Sequence, residues 1–134
     1  MRTAILSVLL LWGSQIQKND PNGVWVSAET GTQFRFQLTG PDLKVVIVDG
    51  SNPRYLKYEV NLQVAADEVN TYRGKGYWVA KSNAGKECRF ETTWEILIVS
   101  PDQLFGKAPQ ISFDSATCEI KEKGELVLDL KKKK

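Results

Sequence analysis

The segment Glu68 to Ser100, EVNTYRGKGYWVAKSNAGKECRFETTWEILIVS, leaves this chain few folds to choose from. Its second half alternates without a break. Cys88, Phe90, Thr92, Trp94 and Ile96 fall on one side, and Glu87, Arg89, Glu91, Thr93 and Glu95 on the other. A period of two, written in aromatic and β-branched residues, is that of a half-buried antiparallel strand. The first half places Tyr72, Gly74, Gly76, Trp78 and Ala80 on one side and Thr71, Arg73, Lys75, Tyr77, Val79 and Lys81 on the other, with Ser82-Asn83-Ala84-Gly85 as the turn between the halves. Strands this long accumulate twist until the sheet coils on itself. Gly74 and Gly76 let the first strand bend, which favours a barrel or a strongly coiled sandwich.

The rest of the chain repeats the pattern in shorter pieces. Gly23 to Ser27 reads as a short strand. Phe34, Phe36 and Leu38 alternate inward, before a turn at Thr39-Gly40-Pro41-Asp42. Leu43 to Asp49 is apolar on both faces in its middle, Val45 to Val48, as expected of a run lying under a loop, under a partner, or at a closing seam. Leu56, Tyr58, Val60, Leu62 and Val64 are expected to face in. Beyond Pro101, three short strands are expected at Gln103 to Lys107, Ile111 to Phe113 and Thr117 to Lys121, punctuated by Pro109. A tight turn at Lys121-Glu122-Lys123-Gly124 then leads into Leu126, Leu128 and Leu130. With eight to ten strands at hairpin spacing and no amphipathic helix, the expected fold is all-β: an antiparallel up-and-down meander closing into a small barrel, with a two-sheet β-sandwich as the alternative. Closure removes the exposed edges that an open sheet would carry.

The 134 residues suit one domain with a single core. The net charge of +2 is misleading, because Arg2 and the four terminal lysines outweigh it and the remainder carries more acids than bases. No basic stripe marks the body, which speaks against a nucleic-acid binder. Residues 1–17 have the layout of a secretory signal, with Arg2 before a short apolar run from Ala4 to Trp12 and a smaller, more polar stretch from Gly13. The run is too short to cross a bilayer, so a membrane-spanning protein is not expected. The alternative is a buried first strand or a short helix. On this reading the chain is exported, periplasmic or extracellular. Residues 18–130 form the barrel and the lysine run 131–134 is a disordered tail. Two cysteines in an exported chain favour a disulfide between Cys88 and Cys118, the alternative being two small packed thiols.

Asn22-Gly23-Val24-Trp25, opening such a meander, resembles the start of the lipocalin-like (calycin) barrels. In that family a Gly-x-Trp motif marks the first strand, so the resemblance implies that Trp25 is a structural plug at one end of the barrel and not a ligand contact. The last strand offers lysine where many lipocalins place an arginine over that tryptophan.

No histidine is present, so histidine-dependent nucleophilic catalysis and histidine metal sites are not expected. No metal site, cofactor or enzyme activity is expected. Glu87, Glu91 and Glu95 lie on the outward face, where a solvated strand surface accounts for them. The inward aromatic residues carry the functional expectation. Gly74, Gly76 and Thr92 would leave space among them for a small apolar ligand, held by Phe36, Tyr58, Tyr72, Trp78, Phe90 and Trp94. The alternative is a solid core, with a protein partner meeting the surface at Val45 to Val48.

Overall fold

A computed structural model describes residues 18–83 and 85–134. The expected secretory signal, residues 1–17, lies outside the described residues, as does Ala84 in the turn of the long hairpin. Eight strands follow one another: β1 (Gly23–Ser27), β2 (Gln33–Thr39), β3 (Asp42–Ile47), β4 (Tyr55–Val64), β5 (Thr71–Lys81), β6 (Glu87–Ser100), β7 (Gln103–Phe113) and β8 (Ile120–Lys132). Each pairs antiparallel with the next, and β8 returns to β1, so the sheet is a closed up-and-down barrel. The long hairpin is β5–β6, in register from Thr71–Leu97 to Lys81–Glu87.

The inward faces of all eight strands contribute to one buried core. Gly74 and Gly76 turn out to serve the coiling itself. A Cβ at Gly74 would run into the Asn61 carbonyl and one at Gly76 into the Glu59 carbonyl. The missing side chains therefore let the β4 backbone close onto β5, and the space they release is filled by that backbone.

Several expectations need correction. Leu56 and Val64 do not face in; they are 49% and 42% exposed. Tyr55 pairs with Ala80 and Lys57 with Val79, so Leu56 is the extra residue of a β-bulge and is thrown outward. The C-terminal third holds two long strands, not three short ones and a last. β7 runs straight through Pro109, and Lys121 to Gly124 is strand and not turn. The turn sits earlier, where Asp114 Oδ1 accepts from the N–H groups of Ala116 (2.7 Å) and Thr117 (3.2 Å). The lysine run is not a loose tail either. Lys131 and Lys132 pair with Val26 and Trp25, and Lys133 N–H donates to Val24 O at 2.7 Å. The seam of the barrel is therefore β1–β8 and not the Val45–Val48 run, in which Val45 and Ile47 are buried while Val46 pairs with Arg35 and Glu59.

The β6–β7 ladder is incomplete. It runs from Ser100–Gln103 to Glu95–Lys107 and stops. Ile98 N–H donates to Asn70 O, on the side of β5, at 2.9 Å. Even-numbered β6 residues thus bond towards β5 and odd-numbered ones towards β7. The next bonded pair in register would be Thr93 with Pro109, and proline has no N–H to give. β8 pairs with β1 only from Leu130 to Lys132. From Pro109 to the tip and back to Glu125, the β7–β8 hairpin is therefore a two-stranded projection, paired only with itself.

Candidate functional site

The interior is occupied by rings. Phe34 and Phe36 come from β2, Tyr58 from β4, Trp78 from β5, and Phe90 and Trp94 from β6; all are buried. They form a continuous chain. Phe36 lies 6.4 Å from Trp94, Trp94 5.9 Å from Tyr58, Tyr58 6.5 Å from Trp78 and Trp78 4.7 Å from Phe90, between ring centroids. Phe34 fills the angle edge-on, 5.3 Å from Tyr58 and 5.2 Å from Trp94. All of these pairs except Tyr58–Trp78, which is stacked with 12° between the ring planes, are tilted or edge-on, arrangements that the ring quadrupoles favour. Five of the expected ligand residues, Phe36, Tyr58, Trp78, Phe90 and Trp94, are thus brought together. Tyr72 is not; it lies at the other end of β5, beside Asp20, Leu38 and Val69.

At the centre, Trp94 Nε1–H donates to the Tyr58 hydroxyl at 3.0 Å. Burial pushes the Tyr58 pKa up to about 12, with the Trp94 bond acting in the opposite direction. The Tyr55 phenol is raised as well, again by burial, against the nearby Arg54 charge. The Thr92 hydroxyl is buried beside the Tyr58 phenol, whose pKa it lowers slightly, and makes no hydrogen bond of normal geometry among the described residues. Between the β1–β2 turn and β8 a cavity of about 70 Å³ reaches these rings, bordered by Thr32, Phe34, Asn52, Tyr55, Tyr58 and Trp94. Small-molecule pockets run to roughly 300–1,000 Å³, so this space is several-fold too small for a carried ligand. Trp25 lies at the opposite end, wholly buried. Its Nε1–H donates to Pro21 O at 2.8 Å, and Lys132 Nζ stands 5.1 Å from its ring while donating to Asp20 O at 2.9 Å.

The β7–β8 projection closes the other mouth. Phe113 packs against Phe90 at 4.8 Å and Trp78 at 6.2 Å. The guanidinium of Arg54 stands 5.5 Å over Trp78 and donates to Ile111 O at 3.4 Å. The tip is tied to β6 by the disulfide between Cys88 and Cys118, whose Cα atoms are 5.4 Å apart. Asn83 Nδ2 adds a bond to Ser115 Oγ at 3.2 Å. Arg54, Tyr55 and Phe113 were not expected at this mouth. The bulge at Leu56 turns Tyr55 inward, and a bulge is not visible in an alternating pattern.

The outer wall of β6, β7 and β8 carries an apolar strip that was also not anticipated. Leu97 and Phe105 pair directly across the ladder, and Val127 pairs with Lys107 beside them. Their exposures, 45%, 41% and 67%, are large for such side chains. They border a surface groove of about 350 Å³ together with Thr71, Arg73 and Glu95. Arg73 bridges Glu95 and Glu68, and Lys107 stands 3.9 Å from Glu95. The hydrogen bond from Arg73 holds the Glu95 carboxyl below its ordinary pKa, and the same partners raise Arg73. The signal for this strip was present in sequence. Leu97 shares the odd-numbered face of β6 with Glu91, Thr93 and Glu95, an apolar residue where a solvated face would carry a polar one.

Among the described residues no group of three or more histidine, cysteine, aspartate or glutamate side chains is placed to hold a metal, and no helix is long and apolar enough to cross a membrane. No protein-family model, curated protein or solved structure matches this chain.

Proposed function

We propose that this protein is an exported, non-catalytic, lipocalin-like barrel that acts as a protein-interaction module, with the outer strip Leu97, Phe105 and Val127 as its contact surface. The observation that carries this reading is the exposed strip itself, beside a groove of about 350 Å³. Apolar side chains grouped on a wall otherwise lined by charge mark interaction sites. The ring-filled interior points the same way, since it leaves the surface as the place to bind. The disulfide fits an oxidising compartment outside the cytoplasm, periplasmic or extracellular. The contact surface thus moves from Val45–Val48, half of which is buried, to the opposite wall.

A photo-crosslinking residue at position 105, in cells that express the protein, tests this. A discrete crosslinked product from position 105, absent from exposed position 37 on β2 and lost on Val127→Lys, is the expected result. Equal products from both positions, or none, refute it. The second reading, a carrier of a small apolar ligand, rests on the apolar rings gathered around Tyr58 and Trp94, which would have to part, since the space of about 70 Å³ beside them is too small as it stands. It requires an apolar fluorescent probe to bind at one site per chain and to lose that site on Trp94→Ala.

A further inference from the structure

We propose that the Cys88–Cys118 disulfide is a redox latch: its reduction frees the β7–β8 projection from β6 and uncovers the aromatic mouth of the barrel at Trp78 and Phe90. The inference is independent of what the outer strip binds.

The projection is built to move as one piece. Beyond Glu95–Lys107 it has no ladder to β6, because Pro109 cannot donate to Thr93, and beyond Leu130 it has none to β1. Its two strands pair with each other as far as Phe113–Ile120. At its root, Gln110 faces Gly124 and Pro109 faces Glu125. A Cβ at Gly124 would meet only the Gln110 carbonyl oxygen, at an ordinary 3.9 Å, so neither space nor backbone conformation requires glycine there. What glycine does supply at that point is freedom to pivot. Apart from the disulfide, the projection is held down by the Phe113 ring contacts, by Ile111 packed against the core, by the Asn83–Ser115 bond and by the long Arg54–Ile111 bond. The ring contacts are tilted, with Phe113 only partly buried, and both hydrogen bonds are exposed. The disulfide is the one covalent restraint on the tip.

The two sulfurs also differ in access. Cys88 is buried at 1% exposure, whereas Cys118 is half-buried at the end of the Asp114–Cys118 turn. A thiolate of a dithiol reductant reaches Cys118 Sγ first. It forms a mixed disulfide there and expels Cys88 as a thiolate. The second thiol of the reductant then displaces Cys118. Two electrons pass to the protein, which ends with two thiols after protonation, and the reductant ends as a disulfide.

The test uses the full chain, reduced and blocked at both thiols with iodoacetamide, against the untreated chain. Hydroxyl-radical footprinting read by mass spectrometry reports the exposure of each ring. Reduction is expected to raise labelling of Trp78 and Phe90 at least about threefold while leaving Trp25 and Trp94 within experimental scatter. Unchanged labelling at Trp78 and Phe90 overturns the latch, because the projection then stays seated without the bond. A parallel rise at Trp25 overturns it too, because the barrel as a whole has then loosened. The Cys88→Ser, Cys118→Ser double variant repeats the comparison without a bulky blocking group and must give the same local pattern.

Discussion

Replacing Tyr58 by Phe removes one oxygen from the middle of the ring chain, and two consequences can be worked out separately. The first concerns Trp94, 2% exposed, whose Nε1–H loses the acceptor it has at 3.0 Å. A buried donor left unpaired costs about 1–3 kcal/mol, so at neutral pH the variant should be less stable by that amount. The second concerns titration. The Tyr58 pKa stands at about 12 in the folded protein against an ordinary 10.0, chiefly because burial disfavours the phenolate. Below the ordinary value both folded and unfolded chains are protonated at Tyr58, and its contribution to stability is complete. Between the two values the unfolded chain has released a proton that the native chain still holds, so stability falls as pH rises through this window. A shift of this size corresponds to roughly 2–3 kcal/mol lost by the upper end. Tyr58→Phe has no proton to lose there.

The difference between the two proteins should therefore shrink above the ordinary tyrosine pKa and vanish or reverse near the folded one. Urea unfolding followed by tryptophan fluorescence, at a series of pH values across this window, measures it. Tyr55 and Tyr72, whose pKa values burial also raises, are common to both proteins and cancel in the difference. A stability gap that stays constant across the window would refute the burial argument. A variant as stable as the parent at neutral pH would refute the claim that Trp94 depends on this acceptor.

Three further substitutions and one truncation test how the barrel is closed. Trp25→Ala empties a wholly buried site and should cost roughly 3–5 kcal/mol in urea unfolding. Gly76→Ala drives a methyl group into the Glu59 carbonyl and should cost about 1–3 kcal/mol, whereas Gly124→Ala, whose methyl would make only an ordinary contact with the Gln110 carbonyl oxygen, should stay within about 0.5 kcal/mol. Removing Lys131 to Lys134 deletes the backbone bonds from Lys132 to Asp102 O (2.8 Å) and from Lys133 to Val24 O (2.7 Å). It should lower stability by about 1–3 kcal/mol in the same assay, where a disordered tail would cost nothing.

The barrel was legible in the sequence because its inward residues are large and its period is strict. Phe34, Phe36, Tyr58, Trp78, Phe90, Trp94 and Leu128 all lie where alternation puts them, and the Cys88–Cys118 bond follows from an even count and an exported reading. Errors gathered where one residue breaks the period. The bulge at Leu56 reverses the face of Tyr55 relative to its neighbours, and a hydrophobicity pattern carries no mark of an extra residue. The lysine run was misread for a related reason. Charge runs are usually solvated ends, but here Lys132 lays its ammonium over Trp25 and its backbone joins the seam, a role fixed by the β1 partner.

Pro109 is the more instructive case. In sequence a proline after a strand candidate reads as a stop, and two short strands were expected on either side of it. In the barrel β7 continues through it unbroken, because its bonds to β8 there use Ala108 and Gln110, whose even parity faces β8. The missing N–H is felt only on the other edge, towards β6. One residue thus keeps one ladder and ends the other, and the consequence is architectural: the sheet opens at Thr93, and the β7–β8 hairpin is free to fold over the mouth onto Trp78 and Phe90. A covalent tie, between Cys88 and Cys118, stands at the far end of the gap that this residue opens. Proline could be located from sequence, but which edge of the strand it faced could not, since that depends on the register of two partners far apart in the chain.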